Sequence, residues 1–68
     1  MKGEKTMQGR IRYDENFMGQ GEYYVFEIFS DGEWSVDTAF KVENDKVSWT
    51  ALMKISHWQN LGVEFHFC

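Results

Sequence analysis

Residues 47–55 read "VSWTALMKI", and the fold depends on whether they form a strand or a helix. As a strand, every odd position is apolar, and Leu52 is the one apolar residue among the even ones. Such alternation marks a half-buried strand. As a helix, Ala51-Leu52-Met53-Lys54 has good intrinsic propensity and Ser48 is a competent N-cap. The apolar positions, however, scatter around the helix axis. The strand reading is therefore preferred.

Upstream lies "GEYYVFEIFSDGEWSVDTAFKV", residues 21–42. Asp31-Gly32 between two apolar runs is a hairpin signal, because both residues tolerate the positive φ of a type I′ turn. A two-residue turn places Phe29 opposite Trp34, Glu27 opposite Val36, Val25 opposite Thr38 and Tyr23 opposite Phe40 on one face. Ile28 with Ser35, Phe26 with Asp37, and Tyr24 with Ala39 share the other. A second turn at Asn44-Asp45 in "VENDKV" then pairs Val42 with Val47, Phe40 with Trp49, Val36 with Met53 and Trp34 with Ile55. These pairs fall on the face already chosen by the first hairpin. A slip of one residue would turn the whole set outward.

The ends complete the sheet. "QNLGV", residues 59–63, supplies a three-residue loop with Gly62 left-handed, which places Val63, Phe65 and Phe67 on the same apolar face. "MQGRIRY", residues 7–13, is a first strand with Tyr13 opposite Tyr23, Ile11 opposite Val25 and Gly9 opposite Glu27. The expected fold is an all-β, five-stranded antiparallel meander, curled strongly or closed into a small barrel. The alternative is an α+β arrangement with residues 48–61 helical on a three- to four-stranded sheet. Either way one apolar face must be buried, by closure of the sheet or by a second copy packed face to face.

Size and composition limit the function. The chain has 68 residues, which is read as one domain, 1–68, near the lower limit at which a core stabilises a fold unaided. One cysteine, Cys68, excludes a disulfide within the chain and fits a reducing compartment. The polar N-terminal "MKGEKTMQG" has no signal-peptide core, and no apolar run reaches the length of a membrane span. A cytoplasmic protein is expected. Eleven acidic and seven basic residues leave a formal charge of −4, which weighs against duplex nucleic acid as a partner. Aromatic residues make up 18% of the chain, so it has ample material for a core and is not disordered. There are no repeats and no low-complexity segments.

Strand 23–29 is apolar on both sides. If one side faces the core, Tyr24, Phe26 and Ile28 lie on the other, with Arg10 opposite Phe26 and Arg12 opposite Tyr24. Arginines over aromatic rings are an ordinary way to cover surface rings. Three large side chains rimmed by Arg10, Arg12, Ser35 and Asp37 also make an interaction patch, which Leu52 and Trp58 extend on the outer side. Glu27 falls on the core side, among Val25, Phe29 and Val36. There it must be paired, or burial raises its pKa.

Other constellations are weaker. Ser56, His66 and Glu33 can share a row across three strands, but the serine lies in the middle, and the relay needs the histidine there. His66 and Cys68 share one strand face, while His57 lies elsewhere, and two ligands do not make a zinc site. "GQG" at 19–21 is a turn and not a phosphate loop. No cofactor and no metal is implied. The chain is read as a small, acidic, non-enzymatic interaction module, an inhibitor or regulator. It would bind a protein partner through the aromatic sheet face (Tyr24, Phe26, Ile28, Arg10, Arg12, Trp58) or an edge strand, and a homodimer would use the Trp34/Phe40/Trp49 face or the Tyr24 patch. The alternative is an aromatic platform or barrel for single-stranded nucleic acid or sugar, in which rings stack on bases and arginines meet phosphates.

Overall fold

The computed structural model describes residues 7–43 and 48–68. Asp31 and Gly32 both have positive φ, 54° and 82°, so the type I′ turn forms where the dipeptide placed it. It joins β2 (Tyr23–Ser30) to β3 (Glu33–Lys41), with Phe29 opposite Trp34, Ile28 opposite Ser35 and Glu27 opposite Val36. The expected register ends there. A β-bulge leaves Asp37 without a partner, so Phe26 meets Thr38, Val25 meets Ala39 and Tyr24 meets Phe40. Bulges redirect side chains, and Asp37 reaches Lys54 at 2.8 Å. The single extra residue moves Phe40 from the side of Tyr23 to the side of Tyr24.

Strand β1 (Gln8–Asp14) pairs with β2 one residue away from the expected register: Tyr13 opposite Tyr24, Ile11 opposite Phe26, Gly9 opposite Ile28 and Arg10 opposite Glu27. The intervening turn accounts for the offset. Asp14 Oδ1 accepts from the Asn16 N–H at 3.0 Å, Asn16 Oδ1 accepts from the Gly21 N–H at 3.1 Å, and Phe17–Gly19 forms one 3₁₀ turn. These local bonds set the loop's span, and the span sets the register.

The decisive segment is helical. Trp49–Leu61 is α1. Ser48 is its N-cap in extended conformation, and its Oγ accepts from the Ala51 N–H at 3.2 Å. Gly62, at φ 80°, closes the helix: its N–H and that of Val63 return to the carbonyls of the last turn, a Schellman-type ending that favours glycine. The left-handed Gly62 anticipated from the sequence is thus a helix cap and not a hairpin loop. The docked stripe is narrow: Ala51, Ile55 and Trp58, at i, i+4 and i+7. Trp49, Leu52 and Met53 face solvent, which explains why the apolar residues do not gather on one side of a helical projection. The turn expected at Asn44-Asp45 and the partner expected in Val47 lie outside the described residues.

The helix runs back across the sheet, so the strand after it, β4 (Glu64–Phe67), lies parallel to β1. The result is a four-stranded mixed sheet, ordered β3-β2-β1-β4, with α1 on one face. The sheet is open, and the arrangement matches the α+β alternative rather than the five-stranded meander. The core lies between α1 and the sheet. Ile11, Phe26, Ala51, Trp58 and Val63 are buried together, with Tyr24, Ile28, Phe40, Ile55 and Phe65 packed around them. Phe26 is the centre, edge-on to Phe40 at 5.3 Å and to Trp58 at 5.1 Å between ring centroids. Trp58 lies against Gly9, where a Cβ would come within 2.8 Å of the indole.

The expected patch is therefore corrected at four of its six residues. Tyr24, Phe26, Ile28 and Trp58 are the material of the core and do not form an exposed surface. One-residue offsets on both sides of β2 reversed the assignment of its faces.

Candidate functional site

The face of the sheet opposite α1 has no covering layer among the described residues. Its side chains follow from the registers. Gln8, Phe29 and Trp34 form one cross-strand row; Arg10, Glu27 and Val36 the next; Arg12, Val25 and Ala39 the third; and Asp14, Tyr23 and Lys41 the last. His66 of β4 lies beside Arg10.

Glu27 is the centre of this face and, among the described residues, the one buried charged residue, 6% exposed. Its Oε1 accepts from Arg10 Nε at 2.6 Å, and its Oε2 faces Arg12 Nε at 3.2 Å. Arg12 Nη1 also donates to Asp14 Oδ2 at 3.1 Å. Burial pushes the Glu27 carboxyl up, but the two guanidinium groups outweigh it and hold the carboxyl below its ordinary value. Asp14 is likewise held low, first by the Asn16 N–H and then by Arg12. A carboxylate kept ionised, with both oxygens engaged, is a poor proton donor at neutral pH, so the geometry does not suit Glu27 to general-acid work. Val25, fully buried on this same face, has Arg12 and Ala39 as its ladder neighbours, and arginine stems commonly shield such positions.

The sign of the linkage follows from a depressed folded-state pKa. The stability Glu27 contributes is present above its unfolded value, about 4.3, and is lost as pH falls through the lower folded value. Glu27→Gln is expected to cost about 1–3 kcal/mol at pH 7, since charge-assisted bonds are lost while the arginines stay partly solvated. The difference from the parent should shrink to nothing well below pH 4. Urea midpoints of both proteins across pH 2–7 check this, and a difference independent of pH would show that the ion pairs contribute nothing.

Around this cluster lie the rings. The Arg10 guanidinium sits 4.2 Å from the centroid of Trp34, which packs against Phe29 at 5.3 Å. Lys41 lies over Tyr23 at 5.3 Å. Phe29 and Val36 are 43% and 50% exposed. Among the described contacts Arg10 uses only Nε, which leaves its terminal nitrogens for a carbonyl or carboxylate.

Arg10 and Arg12 are thus brought together beside Glu27, with Arg10 over Trp34 and Arg12 reaching Asp14, and neither covers Tyr24 or Phe26 as the sequence suggested. Sequence reasoning missed Phe29, Trp34 and Val36 as surface residues, having put them in the core. A signal was present: Arg-x-Arg on β1 and a lone Glu27 on β2 satisfy one another only if they share a face. Ser56, His66 and Glu33 do not meet, since Glu33 and His66 belong to opposite edges of the sheet and Ser56 is on the helix. Among the described residues no three His, Cys, Asp or Glu converge as metal ligands, and no helix is long and apolar enough to cross a membrane. No family model, curated protein or solved structure matches the chain.

Proposed function

We propose that this chain is a small non-enzymatic interaction module that receives a protein partner on the sheet face opposite the helix. The observation that carries this reading is the uncovered group of Phe29, Trp34 and Val36 beside the Arg10–Glu27–Arg12 cluster. Exposed apolar side chains rimmed by fixed polar groups are the composition of an interface. The cluster adds orientation, because its charges are held in place before a partner arrives. Phe29→Ser with Val36→Ser is the direct test. Both residues are half exposed, so the fold should persist by circular dichroism. Affinity for a partner isolated with the parent chain should fall at least about tenfold, the equivalent of about 1.4 kcal/mol. Unchanged affinity would overturn the reading.

A second reading has its own observation. The two cation–ring pairs, Arg10 with Trp34 and Lys41 with Tyr23, also suit a platform for single-stranded nucleic acid or sugar, where stacking contributes about 1–3 kcal/mol per base. The formal charge of −4 opposes phosphate binding, which places this reading second. A flat tryptophan-fluorescence titration with oligonucleotides and oligosaccharides would remove it.

A further inference from the structure

Strand β4 forms one edge of the sheet. Glu64 N–H donates to the Met7 carbonyl at 2.8 Å, and Cys68 N–H donates to the Ile11 carbonyl at 2.9 Å. Even-numbered residues of β4 therefore turn their backbone groups toward β1. By the two-residue alternation of a strand, Phe65 and Phe67 turn theirs outward, and no described residue pairs with them. The opposite edge, β3, is blunted by its bulge and carries Glu33, Asp37 and Lys41. Bulges and charges are the usual protections of an edge. Edge β4 has no bulge, and Phe67 on it is 60% exposed.

An open depression of about 540 Å³ adjoins this edge, lined by Gln8, Gln59, Val63, Glu64, Phe65 and His66. Four of these are consecutive in the chain. They come from both faces of the sheet, so the depression follows the strand edge and does not lie under one face.

We infer that edge β4 pairs antiparallel with edge β4 of a second copy, about a twofold axis at Phe65, to give a continuous eight-stranded sheet. Two symmetric registers bring the outward N–H groups of Phe65 and Phe67 into pairing. In one, Phe65 meets Phe67 of the other copy, and His66 meets His66 on the axis. In the other, Phe65 meets itself, and Glu64 meets His66 of the other copy twice. The second register sets a carboxylate acceptor against an imidazole N–H at both symmetric positions, a favourable cross-strand pair. It also sets Phe67 of the other copy opposite Val63, which lines the depression and whose carbonyl can accept from the Phe67 N–H while its own N–H stays on the Trp58 carbonyl. Side chains stay on matching faces throughout, with Phe65, Phe67 and Val63 on the helix side and Glu64 and His66 on the open side. An isologous contact of this kind closes at two copies. The seam is short, so the dimer should be weak by the standards of interface size. This inference does not rest on the open sheet face.

Sedimentation equilibrium of the reduced full chain, from about 1 μM to 1 mM, tests it together with four variants. The parent should reach dimer. Phe67→Pro removes an outward N–H and none that faces β1. It should raise Kd at least about tenfold while the amide spectrum of the folded chain persists. In a Cys68→Ser background, oxidised mixtures of Glu64→Cys and His66→Cys chains should give the mixed disulfide, because non-hydrogen-bonded antiparallel pairs bring Cα atoms within disulfide reach. His66→Cys alone should not cross-link. A strictly monomeric parent overturns the inference, and protected Phe65 and Phe67 amides in that monomer would mean that another part of the chain occupies the edge. A Phe67→Pro chain that dimerises like the parent overturns it, as does self-cross-linking of His66→Cys. If Phe29→Ser with Val36→Ser abolishes the dimer while Phe67→Pro does not, self-association belongs to the open sheet face instead.

Discussion

Phe26→Ala is expected to leave the chain largely unfolded at 25 °C. Phe26 is fully buried and is the residue that both Trp58 of the helix and Phe40 of β3 pack against. Truncating such a ring removes its transfer free energy and leaves a cavity, together about 3–5 kcal/mol. A core in a chain of this size rarely supplies more than about 3–5 kcal/mol of net stability, so the loss is comparable to the whole. Far-UV circular dichroism and urea titration check it. Phe29→Ala is the control, because Phe29 lies on the uncovered face and is 43% exposed. It should cost well under half as much. If Phe29→Ala proved the more damaging of the two, the helix would have to dock on the opposite face of the sheet.

Gly9→Val is expected to destabilise the protein by about 1–3 kcal/mol or more, by overpacking. Valine is a better strand residue than glycine, so intrinsic preference predicts the opposite sign. Packing decides the outcome. A Cβ at residue 9 would lie 2.8 Å and 2.9 Å from two ring carbons of Trp58, and 3.2 Å from Val63 Cγ1. The indole is a rigid plane held between Phe26 and Phe65, and it cannot yield without lifting α1 from the sheet. Gly9→Ala should show the same sign with a smaller loss. Thermal unfolding reads both, at roughly 4–8 °C per kcal/mol for a domain of this size. A neutral or stabilising Gly9→Val would mean that Trp58 does not lie on β1.

Asp31-Gly32 specified its turn because both residues accept positive φ, and the pairs nearest it followed from a loop of two residues. Ser48 and Gly62 were both recognised, as a possible cap and as a left-handed position. Their meaning changed once the segment between them proved helical. The helix was obscured because only Ala51, Ile55 and Trp58 dock, while Trp49 and Met53 stay in solvent and, with Ala51 and Ile55, supply the odd-even alternation of a strand. Arg10 does lie over an aromatic ring, but that of Trp34 rather than Phe26, whereas Arg12 lies against Glu27 and Asp14 and not over Tyr24.

By itself, then, the sequence determined the local elements whose geometry depends on a few adjacent residues: the type I′ turn, the strand character of 8–14, 23–30 and 33–41, and the need for a partner layer over an apolar face. Tertiary structure alone decided which face that was. Side chains alternate sides with a period of two, so one unpaired residue, Asp37 at the bulge, or a one-residue offset fixed by the 14–21 turn, exchanges core for surface along a whole strand. On β2 both faces are apolar, and hydrophobicity cannot break the tie. It is broken by contacts distant in the chain: Asp37 reaching Lys54 of the helix, Glu27 between Arg10 and Arg12, and the one glycine of β1 lying where Trp58 needs room.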